Sequence, residues 1–109
     1  MVKPIPKKLL IHNVEYYEYD SESSFQNSYK TPVTISYVRL EPQNKVVNNT
    51  GGESITSKAV LFVDVVNSTP IPNFVEKSKV VWKGKEMYIQ SIDELFADTP
   101  IPHHWELNL

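Results

Sequence analysis

The sequence predicts a mainly β protein: a small antiparallel β-barrel or sandwich of about six strands with a long hairpin loop. Three observations predict it. Alternating apolar and polar residues, rich in β-branched and aromatic types, recur along the chain, whereas the helical period is almost absent. Eight prolines against three glycines break helices and blunt sheet edges. Turn-forming residues cluster between the apolar runs. At 109 residues the chain is expected to be a single domain, residues 1–109, with one modest core.

Residues 8–20, KLLIHNVEYYEYD, read as a first strand, with Leu10, His12, Val14 and Tyr16 on one face and Leu9 and Ile11 on the other. Residues 21–29 form a polar connector. Residues 31–42 make a second strand bracketed by Pro32 and Pro42; Val33, Ile35 and Tyr37 face one way, and Thr34, Ser36, Val38 and Leu40 the other. Residues 43–54, QNKVVNNTGGES, read as a long loop or loose hairpin tip whose glycines can take positive φ. Residues 55–69 hold AVLFVDVV, nearly continuous and apolar, whose valines favour a buried strand over a helix. Residues 70–78 are a proline-rich connection.

The clearest hairpin spans residues 79–92: a strand at 80–82, a turn at Lys83, Gly84 and Lys85, and a strand at 87–92. Residues 93–99 suit one helical turn capped by Asp93. Residues 103–109, HHWELNL, form a last strand with Trp105, Leu107 and Leu109 on one side and His104, Glu106 and Asn108 on the other. The tetrapeptide xPIP occurs at residues 3–6, 69–72 and 99–102, each copy setting an extended entry into the next element.

Composition narrows the function classes. There is no cysteine, which removes disulfides and thiolate metal sites. No apolar stretch approaches the ~20 residues of a membrane span. The N-terminus has no apolar core and no small-residue cleavage site, so no signal peptide is expected. The sequons NNT and NST read as turn chemistry. A net charge of −2, from 11 basic and 13 acidic residues, argues against tight binding to nucleic-acid phosphates.

Four groups invite a chemical reading. His103 and His104, with Glu106 beyond them, look like metal ligands. Neighbours on a strand point to opposite faces, however, and zinc wants three or four ligands, so the pair reads as structural. Asp93, Glu94 and Asp98 are paired carboxylates, but a polar turn offers no burial to shift their pKa values. Asp64 interrupts an apolar run and is expected to mark a strand end or an exposed face, since an unpaired buried charge is costly. Tyr16, Tyr17, Tyr19, Tyr37, Trp82, Tyr88 and Trp105 could stack bases; without a basic surround they read as a core with a few exposed rings. No catalytic or metal residue is assigned, and no cofactor is expected.

The order of features carries a resemblance. KPIPKKLLIHNVEYYE at the N-terminus, VDVVNSTP ahead of the hairpin SKVVWKGKEMYIQSI, and the closing HHWELNL together resemble small minor capsid proteins of tailed phages and prophages of Gram-positive bacteria, relatives of the head-closure or stopper proteins. The resemblance implies a non-enzymatic β-barrel-like protein, monomeric when free, that assembles in the host cytoplasm. In the virion neck it would form a ring between the portal–adaptor assembly and the tail. Its partners would be portal, adaptor and tail proteins, with transient contact to packaged DNA and none to membrane. By position, Gln43, Asn44, Lys45, Asn48, Asn49, Thr50, Gly51 and Gly52 would be the loop projecting into the channel. His103, His104, Trp105, Glu106 and Leu107 would be the assembly-contact strand. The residue-based alternative is a small barrel that binds single-stranded nucleic acid.

Overall fold

Proline sets the entry of the chain. Pro6, at φ −56° and ψ 134°, is extended and leads into a 3-10 turn, Lys7–Leu9. The computed structural model, which describes residues 3–20 and 28–109, then runs through seven strands: β1 His12–Tyr17, β2 Val33–Asn48, β3 Ser54–Asp64, β4 Lys79–Trp82, β5 Lys85–Tyr88, β6 Ser91–Phe96 and β7 Pro102–Asn108. The connector expected over 21–29 lies outside the described residues except for Ser28 and Tyr29. Tyr29 bridges back to Tyr19.

All pairings are antiparallel, in the order β5-β4-β1-β2-β3-β7-β6. The two edge strands, β5 and β6, are successive halves of one run of chain joined only by Ile89 and Gln90. Ile89 N donates to Ser78 O on the β4 side at 2.9 Å, and Gln90 N donates to Asn108 O on β7 at 2.7 Å. The sheet therefore curls until its edges lie within a two-residue link of each other, without closing into a barrel. The strand expected at 87–92 is the same segment, and changing partners in its middle makes seven strands of the six expected. The helical turn expected at 93–99 is instead most of β6, because ladder pairing with β7 outweighs a lone capping aspartate.

Three bulges decide which residues face inward. Between His12 and Val14 on β1, β2 advances from Val38 to Ile35, one residue more than its partner. Tyr37, at φ 59°, takes up the extra residue. Ile35 and Val38 thus both point inward and are fully buried, so Val38 and Leu40 join the Ile35 face rather than the Thr34 face expected from strict alternation. The connection after β3 holds this bulge: Ser36 and Thr69 exchange backbone hydrogen bonds at 2.8 and 3.1 Å, and the Ser68 hydroxyl donates to Tyr37 O. The Thr69–Pro70 peptide is cis.

A second bulge falls between Pro42 and Lys45, opposite Ala59 and Ser57. It lies within residues 43–54, which are a hairpin tip rather than a long loop: β2 continues to Asn48, β3 resumes at Ser54, and only residues 49–53 turn. The β2–β3 hairpin thus runs past the end of β7, where Leu109 pairs with Ala59 and Lys58. The third bulge is on β7, at its N-terminal end.

The core gathers on the inner face: Val14, Tyr16, Ile35, Val38, Ala59, Leu61, Val63, Val80, Ile89, Leu107 and Leu109. The Leu10–Val14–Tyr16 face of the first strand is as expected, with Leu9 and Ile11 exposed, although the strand itself covers only His12–Tyr17. The connection from β3 to β4 plugs one side of this core. Phe74 packs edge-on to Tyr16 at 5.5 Å and to Trp105 at 5.6 Å. The Tyr16 hydroxyl lies 2.9 Å from Asn73 O and 3.1 Å from Ser78 Oγ, and accepts from Val75 N at 3.0 Å.

Candidate functional site

β7 carries the expected contact strand. Its inner face holds Trp105, Leu107 and Leu109; Leu107 is fully buried and Trp105 packs partly buried against the core. Its outer face holds His104, Glu106 and Asn108. His104 Nε2 lies 3.1 Å from Glu106 Oε2, and its ring tilts against Phe62 of β3 at 6.3 Å.

His103 departs from the expected geometry. Between Leu95 and Phe96 of β6, β7 advances from His104 to Pro102, so His103 is a bulge residue. The bulge breaks the alternation that would separate the two rings. Their Nδ1 atoms stand 2.9 Å apart with the rings nearly perpendicular. His103 Nε2 reaches Lys3 O at 2.7 Å. Among the described residues, no group of three or more His, Cys, Asp or Glu side chains could hold a metal ion.

Asn108, on the polar face of its strand by alternation, is buried. Gln43 Nε2 donates to its Oδ1 at 2.9 Å and to Ser57 Oγ at 2.7 Å. Asn108 Nδ2 donates to Ser91 Oγ at 2.9 Å and to Asp93 Oδ2 at 3.1 Å. One polar network thus ties β2, β3, β7 and β6, fixing Gln43 where the β2–β3 hairpin begins to project. Asp93 belongs to this network and caps no helix; Glu94 and Asp98 lie exposed beyond it.

The other residues assigned to the channel loop divide between strand and turn. Gln43, Asn44, Lys45 and Asn48 lie in β2; Asn49, Thr50, Gly51 and Gly52 form the turn, with Gly52 at φ 83°. The turn is tethered: the Thr50 hydroxyl donates to Glu76 Oε2 at 2.7 Å, and Thr50 N donates to the same carboxylate. At the other hairpin, Lys83 and Gly84 both have positive φ, as a two-residue type I′ turn requires, so Lys85 already belongs to β5. Lys83 Nζ sits 4.9 Å over the Trp82 ring, whose neighbour His12 meets it edge-on at 5.2 Å. Burial first, then the nearby charges of Arg39 and Lys83, hold the His12 imidazole below its ordinary pKa. The neutral ring accepts a hydrogen bond from Leu40 N at Nδ1, 3.0 Å away.

Asp64 does mark a strand end, and it is fully buried rather than on an exposed face. Three backbone amides satisfy it: Ile5 N on Oδ1 at 2.9 Å, and Val66 N and Asn67 N on Oδ2 at 3.0 and 2.8 Å. It fastens the N-terminal segment through Ile5. Among the aromatics, Tyr16 is core, whereas Tyr17, Tyr19 and Tyr29 lie at the surface with lysines over their faces. Lys79 Nζ is 4.4 Å from the Tyr17 centroid and 5.1 Å from that of Tyr29.

Sequence reasoning missed one surface. Val66, Phe96 and Ile101 are all more than half exposed. Val66 and Ile101 help line an open apolar recess of about 330 Å³, together with Pro4, Val65, Ala97, Pro102 and His103. The repeated Ile-Pro pairs were its signal, since a proline bracket holds an isoleucine in extended chain without burying it.

Comparison with known proteins adds a family to this geometry. No curated protein and no solved structure matches the chain. The family described as minor capsid protein matches residues 6–109, from the 3-10 turn's proline through β7. The chain therefore belongs to the minor capsid protein family.

Proposed function

We propose that this protein is a head-closure component of the virion neck, binding as a ring between portal–adaptor and tail, helping to retain packaged DNA and offering the tail a docking surface. Family membership makes it a structural phage protein of the virion. To that membership the proposal adds the neck position, the ring and the portal and tail partners, for a single-domain protein of a phage or prophage of Gram-positive bacteria. It has no catalytic role in this reading.

The observation that carries it is the apolar surface at the start of β7. Val66 and Ile101 stay exposed at a recess that ends at His103, the first residue of the expected contact strand. Contiguous exposed apolar residues of this kind mark a partner surface. The second support is the β2–β3 hairpin, a two-stranded projection held at its root by Gln43 and at its tip by Glu76. In a ring, such a hairpin reaches the channel with a defined resting position.

The test is reconstitution. The purified protein is run alone on a sizing column with light scattering, then mixed with its cognate portal–adaptor complex and imaged by electron microscopy. A monomer that adds a ring only on the platform is the expected result. No binding to the platform overturns the neck role.

A second reading, single-stranded nucleic acid binding, draws on a recess of about 360 Å³ lined by Tyr19, Tyr29, Tyr88, Lys77 and Gln90. Salt-dependent quenching of tyrosine fluorescence by single-stranded DNA would favour it.

A further inference from the structure

The paired imidazoles of His103 and His104 pose a proton-counting problem with one solution. His103 Nε2 meets Lys3 O at 2.7 Å. A carbonyl oxygen only accepts, so this nitrogen carries a proton. His104 Nε2 meets the Glu106 carboxylate at 3.1 Å and carries a proton for the same reason. The two Nδ1 atoms are 2.9 Å apart, a normal hydrogen-bond length, so one proton lies between them. Two neutral imidazoles hold two ring protons; this arrangement needs three. With two, the Nδ1 lone pairs face each other. With four, two N–H groups collide. Only the pair carrying one positive charge satisfies all three contacts.

We propose that His103 and His104 form a proton-binding site that fastens the N-terminal segment to β7. The charge sits among acids. Glu106 lies on β7 itself, Asp93 on β6 opposite Glu106, Asp64 on β3 opposite His104, and Asp98 in the turn beside His103. Among the described residues, Lys3 supplies the one cation of the segment being fastened, residues 3–5. The same segment is held further along by Ile5 N on Asp64 and by Asn67 Nδ2 on Ile5 O at 2.8 Å. The His103 Nε2 proton thus completes a three-point attachment over residues 3–5, and the proton shared at Nδ1 holds that ring in place. Pro4, within this segment, walls the apolar recess that His103 also lines. Loss of the proton would loosen that wall and change the shape the recess offers a partner.

The sign follows from the count. The fastened state binds one more proton than the two separate neutral rings. It is favoured on the acid side of the pair's titration and lost as the pH rises through it. Because the proton belongs to both rings, the titration is a property of the pair.

The experiment uses the full chain labelled with ¹⁵N. Histidine ring spectra report the protonation of each nitrogen. Amide exchange at Ile5, expressed as protection relative to an unstructured peptide at each pH, reports the attachment. From pH 5.5 to 8.5, the pair is expected to lose one proton while Ile5 protection falls at least tenfold. Leu107 protection is expected to stay constant, reporting an intact sheet. His104→Gln removes the shared proton; Ile5 protection should then be low and flat with pH, with Leu107 again unchanged. Protection of Ile5 that is flat with pH in the unsubstituted protein overturns the proposal. So do two neutral rings at a pH where Ile5 is fully protected. Stoichiometric zinc or copper in the purified protein, with Ile5 protection lost to a chelator, would put a metal where the proton is proposed and also overturn it.

Discussion

Ile89 and Gln90 are adjacent in the chain and donate their amide hydrogens toward opposite ends of the strand order, Ile89 to Ser78 O beside β4 and Gln90 to Asn108 O on β7. Every other strand junction in the described residues passes through a turn or connection. Here the chain keeps its direction and changes neighbours, so one dipeptide holds the curl of the sheet. Ile89 is also one of its most buried side chains, 2% exposed.

Ile89→Ala should therefore cost about 3 kcal/mol, within the range for truncating a buried isoleucine. Urea denaturation followed by tryptophan fluorescence measures it. Gln90→Pro removes the donor to Asn108 O while sparing the core, and should weaken β6–β7 pairing more than β4–β5. Amide exchange would show faster exchange in Ser91–Phe96 than in Lys85–Tyr88.

The buried network around Asn108 predicts a different pattern. Asn108→Ala strips partners from Gln43, Ser91 and Asp93 at once. A loss of about 2 kcal/mol is expected from buried polar groups left unpaired. Gln43→Ala should cost less, and the double substitution should fall short of the sum, as residues sharing one hydrogen bond do not act independently. A double-mutant cycle by denaturant melting measures the shortfall.

Much of this molecule was legible wherever alternation ran unbroken. Leu10, Val14 and Tyr16 are inward, Leu107 and Leu109 are inward, and Lys83–Gly84 turns as its glycine suggested. Errors gathered at the bulges. An extra residue at Tyr37 reverses the faces of Val38 and Leu40, and another at His103 brings two rings together that alternation separates. A bulge has no composition of its own, so counting by twos passes through it unaware. The partner change at Ile89 was hidden for a related reason: the chain stays extended, and side-chain periodicity does not record which strand lies alongside. At Asn108 the burial came from three other strands, none of them near it in sequence. Of the candidate site, a closing strand with Trp105, Leu107 and Leu109 on one face was legible; the apolar recess was not, because its walls come from segments far apart in sequence.

His12 predicts an acid-side weakness. Its imidazole is held below its ordinary pKa by burial, and secondarily by Arg39 and Lys83, and its Nδ1 accepts from Leu40 N only when unprotonated. The unfolded chain takes up the proton first as pH falls, so the stability carried by neutral His12 is present above about pH 6.5 and lost below it. His12→Gln retains an acceptor without the titration. Its urea midpoint should decline less between about pH 7 and 5 than that of the parent, the difference isolating His12 from the other two histidines.

Trp105 offers the last test, because it joins β7 to the plug of the core. Its ring meets Phe74 edge-on at 5.6 Å, and Phe74 meets Tyr16 at 5.5 Å, so three aromatics from β7, the β3–β4 connection and β1 form one column. Trp105→Ala should cost about 3 kcal/mol, the low end for truncating a large aromatic, since the ring is only partly buried. Phe74→Ala should be comparably damaging, and the pair should show coupling of about 1 kcal/mol in a double-mutant cycle. Trp105→Phe keeps an edge-on aromatic and should recover most of the loss. If Trp105→Ala instead left thermal melting nearly unchanged while abolishing ring addition to the portal–adaptor platform, the ring would be an interface residue and the column would contribute nothing to the fold.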